Sequence, residues 1–206
     1  DFEAIKANPK WYQGYSDPTG LLFTITTNCD MATVYAGNYG DFGMKNWHLC
    51  LEENVALLEG KELVQRSFPL YKNGFAERIT GEEDYEEDTP VRWECAEDKV
   101  EISGRLLGGC LDVLLDLVGT RFDKTAEWCN RYKEDGILWY LESFALSSER
   151  LTCGLWHLKE AGWFKHAKGF VFGRPTFFSS DYGIPYKEAV EAALGDLELP
   201  IVYEAD

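Results

Sequence analysis

Positive charge is scarce in this sequence. Twenty Lys and Arg residues stand against 36 Asp and Glu, leaving a formal net charge of −16. Nucleic acid and anionic membrane surfaces both repel such a polyanion, so neither is expected as a partner. Long apolar runs are missing too. No stretch approaches the ~20 residues that cross a bilayer, and no charged-then-apolar leader opens the chain. An initiating Met is also lacking, and the opening "DFEAIKANPK" starts in mid-pattern, as a piece of something longer would. Only three histidines occur (His48, His157 and His166), and they share no metal-ligand spacing. The six cysteines (Cys29, Cys50, Cys95, Cys110, Cys129 and Cys153) contain no C-x-x-C pair, so neither a zinc site nor a thioredoxin-type redox motif is signalled. Dispersed among apolar neighbours, they read as small buried hydrophobes in a reducing compartment, and the protein as cytoplasmic. G-x-S-x-G, P-loop, G-x-G-x-x-G and H-E-x-x-H motifs are absent. No cofactor or metal is therefore expected.

What is present is enough apolar material for a real core. The 206 residues are 45% hydrophobic and 15% aromatic, which fits one large domain or two small ones. Short strands alternate with amphipathic helices. "KWYQGY" (10–15) and "ATVYAG" (32–37) read as strands, and "SDPTGLLFTITTNC" as a helix with Ser16 or Asp17 as N-cap and Pro18 in its first turn. "LCLEENVALLEG" is a helix closed by Gly60. His48 and His157 fall in helical patterns, where a partly buried structural role is the plain reading.

From Leu63 to Pro90 the signal changes to polar, turn-forming text with six acids among residues 82–88. Such a block is expected as a solvated loop, and it lacks the D-x-D-x-D-G spacing of a calcium loop. The alternation then resumes. "VRWECAE" and "KVEISGRLL" read as strands, followed by a helix with a Leu111, Leu114, Leu115, Val118 stripe. "ILWYLE" is the next strand. "SSERLTCGLWHLKEAG" is a helix capped by Ser147 or Ser148 with a Leu151, Leu155, Leu158 stripe and a Gly162 stop. "KGFVFG" (168–173), the helix 184–195 and the strand 199–206 complete an α/β pattern with no internal repeat. The expected organisation is residues 1–62 as the end of an N-terminal α/β, Rossmann-like domain, 63–90 as an acidic linker, and 91–206 as a C-terminal α/β domain.

Two features carry chemical potential. "GRLLGG" (104–109) contains a Gly108-Gly109 turn between strand and helix. It has a structural explanation in close strand–helix approach, and its exposed N–H groups could equally meet an anion. The second is Glu142. The continuous apolar run Ile137 to Leu141 fits a central parallel strand buried on both faces, and Glu142 lies at its carboxyl end, where side chains of open α/β sheets reach ligands. A helix cap or a surface charge is the alternative there.

The ordered segments "IKANPKWYQGYSDPTGLL", "ISGRLLGGCLDVLLDLVGT", "DGILWYLESF" and "ERLTCGLWHLKEAGWFKHAKGFVFGR" resemble the LD-carboxypeptidase family of serine peptidases, which includes the microcin C immunity peptidases. The resemblance covers most of the chain apart from residues 74–90. It implies a Ser–Glu–His triad in which Glu142 matches the acid. By the same resemblance the serine belongs upstream of Asp1 and the histidine beyond Asp206. Ser16, at a helix start, is not the nucleophile, and none of the three histidines stands at the family position. Where the family commonly shows G-G-N-L, this chain has Gly108-Gly109-Cys110-Leu111, which removes any polar role of that Asn.

The activity implied is cleavage of an L,D bond in murein tetrapeptides or of the amide of a peptidyl or aminoacyl nucleotide. The substrate partner would be a peptide or peptidyl nucleotide, and a homodimer is left open. A non-catalytic remnant that binds a peptide or dimerises is the alternative. Trp93 and Trp128 could stack on a nucleotide or pack in the core.

Overall fold

The computed structural model describes residues 1–61, 64–74, 79–97 and 99–205. The boundary expected at 62 and 63 and the last residue of the expected strand 199–206 lie outside them. In chain order the elements are α1 (Phe2–Ala7), β1 (Gln13–Gly14), α2 (Thr19–Cys29), β2 (Val34–Tyr35), α3 (Leu49–Leu58), β3 (Leu70–Tyr71), β4 (Thr89–Pro90), β5 (Glu94–Cys95), β6 (Arg105–Cys110), α4 (Leu111–Leu117), α5 (Thr125–Arg131), β7 (Ile137–Glu142), α6 (Ser148–Glu160), β8 (Ala167–Gly173), α7 (Tyr186–Leu194) and β9 (Ile201–Ala205). This is the expected α/β class, built around a sheet in the order β5-β9-β8-β7-β6. Strands β6 to β9 run parallel and β5 pairs antiparallel to β9.

One face of this sheet carries the core. Leu107, Ile137, Trp139, Leu141, Phe170, Phe172 and Tyr203 project into a cluster with Leu111, Leu114 and Leu115 of α4, Leu151, Leu155 and Leu158 of α6, and Val190 and Leu194 of α7. Each such side chain contributes roughly 1.5–3 kcal/mol on removal from water. Stacked rings tie the N-terminal helix α2 to this core, with Phe23 5.1 Å from Trp163 and Trp163 6.0 Å from Trp139. Strand β7 differs from its expected burial on both faces. Ile137, Trp139 and Leu141 are fully enclosed, whereas Leu138, Tyr140 and Glu142 are half-buried, and a cavity lies on the second face beside Tyr140.

The helices follow their signals where the caps are chemically clear. Ser147 Oγ accepts from the Arg150 amide at the start of α6 (3.2 Å), and Gly60 and Gly162 terminate α3 and α6 with φ of +80° and +83°. At α2 the expected capping fails. The helix begins at Thr19 with no side-chain cap, and Ser16 stands outside it with φ +64°. The strands expected over 10–15, 32–37 and 91–97 shrink to two-residue pairs, and the short helices α1 and α5 were not signalled.

The strand expected over 99–107 begins only at Arg105 and runs through Gly108 and Gly109, which are strand residues and not a turn. They pair with Tyr140 and Leu141, and the helix starts directly afterwards. The close approach is real, however. A Cβ on Gly108 would collide with the Tyr140 carbonyl oxygen, and one on Gly109, at φ +139°, would come within 2.6 Å of Thr19 Cγ2.

The acidic stretch is mostly exposed, as expected, but it is fastened down. Glu83 accepts from the amides of Ile79, Thr80 and Gly81, which holds its carboxyl at about 2. Asp84 accepts from the Asn46 amide (2.9 Å) and its side chain (2.6 Å). Glu87 sits 3.3 Å from His48 Nε2, while His48 Nδ1 caps α3 by accepting from Cys50 N. The cysteines divide: Cys29, Cys110 and Cys129 are buried as expected, Cys50 and Cys95 are half-buried, and Cys153 is exposed because it falls on the outer side of α6.

The contact at Gly108 yields a stability prediction. Gly108→Ala forces β6 away from β7 and should cost about 3 kcal/mol in urea unfolding, at the upper end for overpacking. Unchanged stability would show that the strands part without penalty.

Candidate functional site

Glu142 ends β7 on the half-buried face, directly across from Cys110 at the end of β6 and beside Gly173 of β8. Gly173 makes room, since a Cβ there would lie 3.1 Å from Glu142 Cβ. The turn that follows is held by Asp112 of α4, whose carboxylate accepts from the amides of Phe144 (2.8 Å) and Ala145 (3.1 Å). Phe177 N donates to the Phe144 carbonyl at 2.7 Å, pinning the same turn from the other side. A carboxylate at the end of a packed strand with both flanks bonded has few rotamers and little backbone freedom.

The N-terminal segment supplies its partner. Tyr35 Oη donates to Glu142 Oε1 at 2.6 Å, across 107 residues of sequence. Ser16 N donates to the same phenol oxygen at 2.9 Å, and Thr19 Oγ1 accepts from Cys110 N at 3.1 Å. Burial raises the Glu142 pKa and the Asp112 charge adds to it, while the Tyr35 hydroxyl and the Cys110 thiol pull it down. Burial followed by the nearby Glu142 charge pushes the Cys110 thiol up to about 12 and raises Tyr35 as well. Both groups therefore keep their protons near neutral pH. Tyr35 donates to the Glu142 carboxylate, the hydrogen bond of the thiol runs to Asp112 Oδ2 at 3.6 Å, and Cys110 is no nucleophile, since a nucleophilic cysteine needs its thiolate.

Beside this cluster a cavity of about 740 Å³ opens between the second face of the sheet and the N-terminal segments. Tyr35, Leu51, Asn54, Leu106, Tyr140 and Val171 are among its walls. Glu142 is not; it stands next to the cavity through Tyr35 and Tyr140 and is half-buried, away from the outer surface.

The other sequence-selected residues disperse. The backbone oxygen of His166 accepts from Ile137 N at the opposite end of β7, about 16 Å from Glu142 at ~3.3 Å per residue. His157 is exposed late in α6, and His48 is engaged with Glu87. Trp128 is core, donating to Asp30 at 3.1 Å, and Trp93 is half-exposed. Among the described residues no group of three or more His, Cys, Asp or Glu is arranged to hold a metal ion, and no helix is long and apolar enough to cross a membrane. Sequence reasoning missed Tyr35, Thr19 and Asp112. Their only signals were an aromatic in a short apolar strand and polar residues at helix starts.

Comparison with known proteins adds the following. The LD-carboxypeptidase C-terminal domain matches residues 103–206 and the LD-carboxypeptidase N-terminal domain matches residues 1–36. A Vibrio cholerae protein bearing a provisional carboxypeptidase name is 24% identical over 219 residues, covering 100% of this chain and 61% of its own length. Among solved structures, the microcin C7 self immunity protein MccF in complex with aspartyl sulfamoyl adenosine has a TM-score of 0.71 at 20% identity, over 100% of this chain and 62% of that one. The same protein is known in complex with glutamyl sulfamoyl guanosine. A muramoyltetrapeptide carboxypeptidase from Oxalobacter formigenes has a TM-score of 0.62 at 19% identity, over 98% of this chain and 60% of that one. The chain thus spans about three-fifths of the length of these relatives, and at such identities the structural likeness establishes the fold.

The raised pKa of Glu142 has a consequence for stability. The folded chain binds that proton more tightly than the unfolded chain, so the ionised carboxylate opposes folding once pH exceeds the unfolded value of roughly 4.3, and fully so above the folded value. Glu142→Gln, which keeps an acceptor for Tyr35, should raise the melting temperature by a few degrees at pH 7 and leave it unchanged at pH 3. Circular dichroism melts at the two pH values decide the matter, and an equal effect at both would contradict it.

Proposed function

This chain belongs to the LD-carboxypeptidase family, and from that premise we propose that Glu142 is the acid of a Ser–Glu–His triad in a serine carboxypeptidase or amidase of its relatives' length. The observation that carries the reading is the carboxylate itself: fixed at the carboxyl end of a packed strand, half-buried, and bonded by a phenol from the N-terminal segment. That placement suits a group whose task is to hold an imidazole. In this mechanism a serine attacks the substrate carbonyl, a histidine takes its proton and returns it to the leaving group, and Glu142 keeps the imidazole in the working tautomer and stabilises its cation. The serine and histidine come from polypeptide outside residues 1–206. In support, none of the three histidines stands by Glu142: His48 is engaged with Glu87, His157 is exposed late in α6, and His166 lies at the opposite end of β7.

The substrates that fit are a murein tetrapeptide, cut at its L,D bond with release of D-alanine, or an aminoacyl or peptidyl nucleotide, cut at its amide. The first is favoured by the muramoyltetrapeptide carboxypeptidase relative and the second by the sulfamoyl nucleoside complexes of MccF. Both reactions put an oxyanion and an imidazolium into a half-buried site, where a fixed carboxylate acts strongly.

The test uses the full-length gene product, assayed for D-alanine release from tetrapeptide and amino-acid release from an aminoacyl sulfamoyl nucleotide. Glu142→Gln should lower kcat by up to about 10⁴-fold with the fold intact, as expected for a triad acid turned into an amide. The 206-residue chain assayed alone should be silent. Unimpaired turnover by Glu142→Gln, or turnover by the chain alone, would overturn the assignment.

A further inference from the structure

The geometry points to Tyr35 as a positioning residue for Glu142: from the N-terminal segment it holds one carboxylate oxygen so that the other faces the imidazole. The inference rests on the triad reading above. The phenol is itself constrained on both sides. Its oxygen accepts from Ser16 N at 2.9 Å, and its proton goes to Glu142 Oε1 at 2.6 Å. Its ring leans on Tyr140, with centroids 5.6 Å apart, two residues before Glu142 on the same strand face.

The backbone that presents the Ser16 amide is in a left-handed conformation, φ +64°, uncommon for a residue with a side chain. That conformation is sustained by neighbours. Asn38 Oδ1 accepts from Tyr15 N at 3.2 Å, Asn38 Nδ2 donates to the Tyr15 carbonyl at 3.3 Å, and Gly14 pairs with Tyr35 across β1 and β2. A strained residue kept in place by bonds on either side is characteristic of functional sites. Here its effect is to aim one N–H at the phenol oxygen, so that the hydroxyl proton is directed to the carboxylate.

The titratable and charged groups facing Glu142 come from each packed element: Tyr35 of β2, Cys110 of β6, Asp112 of α4 and Tyr186 of α7. The tyrosines and the thiol are protonated near neutral pH, so Asp112 is the charged member, and it disfavours a second negative charge. The phenol is the donor that offsets this. Its removal makes Glu142 protonate at higher pH, and a protonated Glu142 cannot stabilise an imidazolium.

The test compares wild-type, Tyr35→Phe and Glu142→Gln forms of the full-length gene product in pH profiles of kcat and KM. For Tyr35→Phe, kcat should fall about 10- to 100-fold, the size expected for one hydrogen bond to a charged group, with KM within about twofold. The acid limb of the profile should move to higher pH, which loss of stability alone would not produce. Site-specific 3-fluorotyrosine at position 35 keeps the shape and is a stronger donor, so it should move the limb to lower pH and serves equally if Tyr35→Phe does not fold. An acid limb unmoved by these changes, with Glu142→Gln crippled, overturns the positioning role and leaves the triad standing. Normal turnover by Glu142→Gln overturns both.

Discussion

Between Leu107 and Cys110, strand β6 carries two residues without side chains, and the placement of the site depends on that gap. On one side the Gly108 backbone lies against the Tyr140 carbonyl of β7; on the other, Gly109 lies against the Thr19 side chain at the start of α2. Because nothing projects at either position, α2 can reach the end of the sheet and Thr19 can accept the Cys110 amide. Once α2 is seated there, the strand pair β1–β2 is carried to the second face of the sheet, and Tyr35 arrives over Tyr140 within bonding distance of Glu142. A methyl group at Gly108 or Gly109 would disturb the packing on which these contacts depend. The glycines therefore act through what they permit in the backbone; no contact of their amides with a ligand is needed to explain them.

A second constraint is electrostatic. The chain has 16 more acids than bases, which favours dispersing its carboxylates in solvent. Most are so placed, and within the mostly exposed acidic stretch Glu83 accepts from backbone amides, Asp84 from Asn46, and Glu87 lies beside His48. Glu142 differs because burial and the Asp112 charge both oppose its ionisation. The donor bonded to it, the Tyr35 phenol, cannot supply compensating charge; it supplies a hydrogen bond. A carboxylate held by a neutral donor stays available to a cationic partner in a way that one paired with Arg or Lys would not, since a salt bridge would already occupy it.

How much of this was legible in the sequence depends on the range of the interaction concerned. Local chemistry was readable: the Ser147 cap, the Gly60 and Gly162 stops, the apolar stripes of α4 and α6, and the apolar strand leading to Glu142. Each rests on contacts within a few residues or on a periodicity. Features that rest on tertiary pairing were misread. Residues 99–104 have the composition of a strand but find no partner, whereas Gly108 and Gly109 have the composition of a turn but pair with β7. Ser16 looked like a helix cap because Ser-Asp-Pro is a helix-start pattern. The contact that overrides it is the phenol of Tyr35, 19 residues on. Cys153 has Leu151 and Leu155 two residues away on either side, yet the helical period places it outside the Leu151, Leu155, Leu158 stripe. Glu142 could be picked out as a strand-exit carboxylate, but Tyr35 could not be tied to it, because nothing local marks a pair separated by 107 residues.

That separation bears on how the parts cooperate. The Glu142 carboxylate, Cys110 and Asp112 come from residues 103–206, while Tyr35, Thr19 and the Ser16 amide come from residues 1–36, the two segments that match the family's C-terminal and N-terminal domains. Each half alone would leave unsatisfied groups at the contact: a half-buried carboxylate without its phenol, and a phenol beside a strained amide without its acceptor. Joining them satisfies both, so docking of the N-terminal segment and ordering of the carboxylate are thermodynamically linked, and the factor by which docking favours ordering equals that by which ordering favours docking. The stacking of Phe23 on Trp163 and the Thr19–Cys110 bond add to docking without touching Glu142 directly. By linkage they contribute to its order as well, which is how a carboxylate at the end of one strand comes to depend on the packing of a helix more than a hundred residues earlier.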